Sequence, residues 1–163
     1  MVLSLFLASE WLETEDTIVA YGDIVVPPAL LKSVSAAAGE ICIPVDLRWQ
    51  GLWEKRFGDP LIDSETMAYD PSFNLTEIGN HPRSLEQVQA QFMGMVRLTP
   101  SGWGQLRAML GKLHLDDILR LDFTAMLSLA VKEGINVVCL PTSEIWCEVD
   151  SETDLQLANQ LFA

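Results

Sequence analysis

Two acidic motifs each close an apolar run. Tyr21-Gly22-Asp23 follows Thr17-Ile18-Val19-Ala20, and Glu148-Val149-Asp150 follows Ile145-Trp146-Cys147. An apolar run that stops on a carboxylate reads as a buried strand delivering an acid to the carboxyl edge of a sheet. Open α/β sheets bind their ligands at that edge. Hard cations such as Mg2+ prefer carboxylate oxygen, so Asp23 and Asp150 are candidates to share one divalent cation or to hold one each. Each acid also has a plainer reading. Asp23 suits a strand-end turn, and Asp150 precedes a helix signal, where Asp is a favoured N-cap.

Aromatic and basic residues extend the candidate set. Trp49 and Trp53 are four residues apart and share a helix face. They either pack a core or line a pocket able to hold a quaternary ammonium by cation–π attraction. Trp146 lies four residues before Asp150 and can line the same pocket, as can Glu148. Arg48, Arg56 and Arg83 fall in an irregular region; one of them, Arg56 above all, could meet a substrate phosphate or carboxylate, and surface solvation is the alternative. No glycine-rich loop cradles a phosphate. Gly102-Trp103-Gly104 carries no Lys and lies inside a helix signal, and the first basic residue is Lys32. The pattern looks like the metal-holding part of a nucleotide enzyme without its nucleotide-gripping part.

Composition narrows the function classes. A length of 163 residues suits one domain, spanning the whole chain. The net charge of −13 argues against nucleic acid and against an anionic membrane surface. A phosphate-bearing substrate stays open if metal ions bridge it to the carboxylates. Cys42, Cys139 and Cys147 lie in apolar runs with no CxxC spacing, so they read as core residues in a reducing, cytoplasmic setting. His81 and His114 match no zinc spacing. The apolar start, Met1 to Ala8, lacks the basic flank of a signal peptide and is too short to span a membrane. It reads as part of a buried helix, with the expectation that Met1 is not where the natural fold begins.

The elements that must position these residues alternate between strand and helix signals, which implies an α/β fold. Residues 2 to 13 read as a helix and 17 to 22 as a buried strand, expected to be central and parallel to a strand over 41 to 45. Pro28 opens a helix that Gly39 ends. Pro44 is expected to push its strand to an edge or a bulge. Residues 65 to 69 and 73 to 78 read as a hairpin around Asp70-Pro71-Ser72. Residues 91 to 98 and 136 to 140 read as strands. Thr99 and Asp122 read as caps, and Ser151-Glu152-Thr153-Asp154 as the opening of the last helix.

Several segments together resemble the nucleotidyltransferases, and among them the phosphocholine and phosphonate cytidylyltransferase-like branch. They are Ser4 to Leu12, Ile18 to Val25 with Tyr21-Gly22-Asp23, Ile43-Pro44-Val45-Asp46 with Trp49 and Trp53, Ile78 to Pro82, Gln91-Phe92-Met93-Gly94, Asp122-Phe123-Thr124 and Trp146 to Asp150. The resemblance implies an incomplete Rossmann-like domain, a mixed sheet with flanking helices and an inserted hairpin region. It implies a CTP or other NTP substrate, Mg2+ held by Asp23 and Asp150, and a phosphate- or phosphonate-bearing acceptor, with pyrophosphate released. The family's glycine-rich first turn is absent. The chain is therefore expected to be the carboxyl-terminal part of such a domain, inactive alone and completed by an amino-terminal segment or a second copy. The alternative is a non-catalytic remnant or partner-binding module of the same fold.

Overall fold

The computed structural model describes residues 1–163. In chain order the elements are α1 (Leu3–Leu7), α2 (Ser9–Leu12), β1 (Thr17–Ala20), β2 (Ile24–Val25), α3 (Pro28–Ser35), β3 (Ile41–Asp46) and α4 (Trp49–Phe57). The hairpin β4 (Met67–Tyr69) and β5 (Leu75–Ile78) follows, then β6 (Gln91–Phe92) and β7 (Met95–Leu98). The last third holds α5 (Pro100–Leu110), α6 (Leu115–Arg120), α7 (Phe123–Lys132), β8 (Val138–Thr142), β9 (Cys147–Glu148) and α8 (Glu152–Leu161).

The main sheet is mixed. β7 runs antiparallel to β1 on one side and to β3 on the other. β6 continues the line of β7 along β3, and β8 runs parallel to β3 on its far side. All six residues of β3 are buried, as expected of a strand covered on both faces. Alternate residues feed two cores. Ile41, Ile43, Val45, Val96 and Leu98 pack with Trp103 and Leu106 of α5 and with Phe123 and Met126 of α7. On the opposite side Met95 packs with Leu30 and Val34 of α3, with Trp49 and Trp53 of α4, and with Trp146.

Two expectations about the sheet are corrected. β1 is an edge strand, because only β7 pairs with it; it runs in the same direction as β3, with antiparallel β7 between them. Pro44 does not force β3 outward. It sits opposite the break between β6 and β7, where Met93 donates its amide to the Pro44 carbonyl at 3.4 Å. A residue without an N–H is tolerated where the partner strand is already interrupted. Gly94 makes the interruption: its φ is +66°, and a Cβ there would lie 2.7 Å from Cδ2 of Tyr21.

Local chemistry sets the other boundaries. The helix expected over residues 2 to 13 divides at Ala8 into α1 and α2. It buries Val2, Leu5 and Leu12 but leaves Leu7 84% and Trp11 62% exposed. Thr99 accepts from the Gly102 amide at 3.0 Å, Asp122 from Ala125 at 2.7 Å and Ser151 from Asp154 at 3.2 Å, so all three caps are in place. The β4–β5 turn is held by Asp70, whose carboxylate accepts from the amides of Ser72 and Asn74. Gly102 lets α5 approach the backbone closely, since a Cβ there would lie 2.2 Å from the Glu40 carbonyl oxygen.

Candidate functional site

β2 and β9 form a small antiparallel ribbon, with Ile24 opposite Glu148 and Val25 opposite Cys147. The Val149 amide extends the ribbon by donating to the Asp23 carbonyl at 2.9 Å. The ribbon thus joins the two acidic motifs. One ligand atom each of Asp23, Glu148 and Asp150 lies within 4.8 Å of the others. Oxygens on opposite sides of a Mg2+ stand about 4.2 Å apart, at ~2.1 Å each from the ion. The set is all carboxylate and needs only a small closing movement, so it fits a hard divalent cation.

Beside the cluster lies a cavity of about 280 Å3. Its wall includes Tyr21, Trp53, Glu65, His81, Gln91, Phe92, Asp122, Thr124, Trp146 and Glu148. The strand ends explain this grouping. Tyr21 follows β1, Gln91 opens β6 opposite Asp46 at the end of β3, and Trp146 precedes β9. Tyr21 stands edge-on to Phe92 and to Phe123. Gln91 is buried and donates to the Glu65 carbonyl at 2.8 Å.

The field in this cavity is negative. Burial raises the Tyr21 phenol well above its ordinary value, and Asp122, Glu65, Glu148 and Asp23 push it the same way. Burial also raises Glu65, with Asp122 and Asp63 adding to the shift and the Thr124 hydroxyl opposing it. Glu148 is raised by burial, and its hydrogen bond from Arg56 works against that.

A second cavity, of about 320 Å3, lies on the other side of Trp146 and is lined by Asp46, Arg48, Leu52, Lys55 and Glu144 among others. Asp46 is buried at the end of β3. It accepts from Trp146 Nε1 at 2.9 Å and from the Arg48 amide at 2.7 Å. Trp146 is thereby fixed between the two cavities.

The remaining sequence candidates fall into two groups. Trp53 and Trp146 line the cavity beside the acids, with ring centroids 6.1 Å apart, and Trp53 Nε1 donates to the Asp63 carbonyl at 3.2 Å. Trp49 is buried in the second core and lines neither cavity. Arg56 is not free for a substrate anion: its side chain is 1% exposed, and its nitrogens go to Glu148, Asp150 and Asp154. Sequence reading passed over Asp46 as a site residue, although its apolar run ending on a carboxylate is the signal that marked Asp23. Asp154 was legible only as part of a helix opening. Glu65 and Asp122 gave no local sign of sharing a cavity.

No family model matches the chain. Over 96% of its length it is 26% identical to a CTP:phosphoglutamine cytidylyltransferase from Campylobacter jejuni subsp. jejuni serotype O:2. It superposes on the inositol-1-phosphate CTP transferase from T. maritima with a TM-score of 0.70, at 19% identity and over 98% of the chain. It also superposes on a protein assigned as a glucose-1-phosphate thymidylyltransferase from Bacillus anthracis, solved with sucrose, with a TM-score of 0.72 at 13% identity over 99% of the chain. The chain has the nucleotidyltransferase fold. It spans 66% of the length of the curated relative and 60% of each solved structure. All three likenesses agree with the resemblance carried by the sequence motifs. No helix is long and apolar enough to cross a membrane.

Proposed function

We propose that this chain carries the metal- and acceptor-binding part of a nucleotidyltransferase acting on CTP or another NTP. The observation that supports this most is the meeting of Asp23, Glu148 and Asp150 beside a cavity at the strand ends, in a chain of nucleotidyltransferase fold. The relative's name gives the reaction class: a cytidylyl group passes to a phosphorylated acceptor. An acceptor phosphate or phosphonate oxygen forms a bond to the α-phosphorus. The bond from that phosphorus to the bridging oxygen breaks, and pyrophosphate leaves with the electron pair. Mg2+, when bound, supplies the positive charge that lets two anions meet. Asp23 and Asp150 would hold it, with Glu148 beside them. The acceptor's far end would lie against Trp53 and Trp146.

The same reading holds that this chain alone is inactive and works with a complementing segment or a second copy. The outer edge of β1 carries no paired strand, and Leu3, Leu7 and Trp11 are exposed. A monodisperse monomer by light scattering counts against that part. The metal reading is tested by titrating Mn2+ with and without CTP, following free Mn2+ by electron paramagnetic resonance. Asp23→Asn and Asp150→Asn should each weaken binding at least about tenfold, a loss of about 1.4 kcal/mol. Binding that ignores both substitutions overturns the assignment. Pyrophosphate release, assayed with and without a complementing segment, separates an enzyme from a partner-binding module of this fold.

A further inference from the structure

Arg56 is the only lysine or arginine that makes an ion pair with the acidic cluster. It stands near the end of α4, more than ninety residues before its partners. Its Nη1 meets Glu148 Oε2 at 3.0 Å, its Nη2 meets Asp150 Oδ2 at 2.8 Å and its Nε meets Asp154 Oδ1 at 2.9 Å. The Phe57 ring centroid lies 4.8 Å from Cζ and that of Trp53 5.7 Å. Ion pairs and aromatic contacts together give the guanidinium one place to stand. It therefore engages two of the three carboxylates that would hold a metal, through one oxygen of each. A divalent cation arriving at the cluster must share both carboxylates with a fixed positive charge.

We propose that Arg56 is a positioning residue that serves as the resident countercharge of the acidic cluster. It holds Glu148 and Asp150 together when no divalent cation is bound, and it lowers the affinity for a free cation by repulsion. Tight metal binding would then require a polyanion, such as a triphosphate, to supply further negative charge. This inference rests on the assignment of Asp23, Glu148 and Asp150 as the metal site. It adds that the protein's own cation competes there. A guanidinium fork suits the task because it binds several carboxylates at once from a rigid plane.

The test uses Mn2+ alone, titrated into the chain and followed by electron paramagnetic resonance. Arg56→Met removes the charge and keeps an apolar stem against Trp53 and Phe57. It should bind Mn2+ at least about tenfold more tightly, because the like charge a few Å away is gone. Arg56→Lys keeps the charge but not the fork, so its Mn2+ affinity should stay closer to the parent's than that of Arg56→Met. A purely structural role predicts the reverse order, with Arg56→Met the weaker binder. Unchanged or weaker Mn2+ binding by a folded Arg56→Met chain overturns the proposal. Should that variant fail to fold, the parent protein still decides. Mg2+ titrated against 15N-labelled arginine should shift the Nη signals of Arg56 more than its Nε signal, which faces Asp154. Nη signals unmoved at metal saturation overturn the proposal. Asp23→Asn separates the two assignments: if it leaves Mn2+ affinity intact, the metal site is wrong whatever Arg56 does.

Discussion

The Val149 amide donates to the Asp23 carbonyl at 2.9 Å, and that bond ties together two motifs from opposite ends of the chain. The carboxylate cluster is thus set by main-chain pairing as much as by side chains. Val149→Pro deletes the donor while leaving every carboxylate in place. It should weaken Mn2+ binding at least about tenfold, with the far-ultraviolet circular dichroism spectrum preserved. Equal affinity in the variant would show that the ribbon does not position the acids.

Gly94 breaks the strand line of β6 and β7 with a positive φ of +66°, and the Tyr21 ring fills the space where a Cβ would stand. Gly94→Ala combines backbone strain with overpacking. The expected cost is about 1–3 kcal/mol. For a chain of this size that lowers the melting temperature by roughly 2–12 °C, measurable by calorimetry. A larger residue there should also displace Tyr21 and disturb the cavity wall.

How far these relationships can be read from sequence depends on how local their causes are. Thr99, Asp122 and Ser151 are legible as caps because each acts within three residues of itself. The β4–β5 hairpin is legible because Asp70 builds its own turn. The ends of two apolar runs, at Asp23 and Asp150, point to one sheet edge. The β2–β9 ribbon leaves no such trace, since two-residue strands carry no period. Arg56 gives no sign of its ion-pair partners, because the three lie 92, 94 and 98 residues away. Pro44 misleads because the deciding feature is a gap in the neighbouring strand. The placing of β1 misleads because an apolar run reports burial and not its neighbours; Thr17, Ile18 and Val19 are half-buried at an edge.

Glu65 carries a pH signature. Burial, with the charges of Asp122 and Asp63, lifts its carboxyl above the ordinary value of 4.5 in the folded protein. The folded state therefore holds the proton more tightly than the unfolded state does. Its favourable contribution is fully present below the unfolded value and is lost as pH rises through the folded one. Above the folded value the ionised carboxylate costs stability. Glu65→Gln removes that cost and keeps an oxygen to accept from the Thr124 hydroxyl. The variant should melt higher than the parent at pH 7, and the gain should fade as pH falls through the folded value and be gone below 4.5. A gain independent of pH would assign the effect to packing.

Trp146 and Asp46 form a buried pair that can be tested on its own. Trp146 Nε1 donates at 2.9 Å to Asp46, whose carboxyl is raised by burial and held down by this bond and by the Arg48 amide. Trp146→Phe keeps most of the apolar ring and removes the donor, leaving a buried carboxylate short of one partner. The expected cost is about 1.5–3 kcal/mol at pH 7, the range for a lost hydrogen bond to a charged group. Asp46→Asn removes the charge, so Trp146→Phe made in that background should cost less, and the difference is the charge-assisted part of the bond. The raised Asp46 carboxyl favours the folded state below its ordinary value of 3.8 and loses that contribution as pH rises through the folded value. The penalty of Trp146→Phe should therefore shrink in acid as Asp46 takes up its proton. Urea denaturation of the four proteins at neutral and acidic pH measures each quantity. A penalty that is the same in both backgrounds and at both pH values would reduce Trp146 to a packing residue between the two cavities.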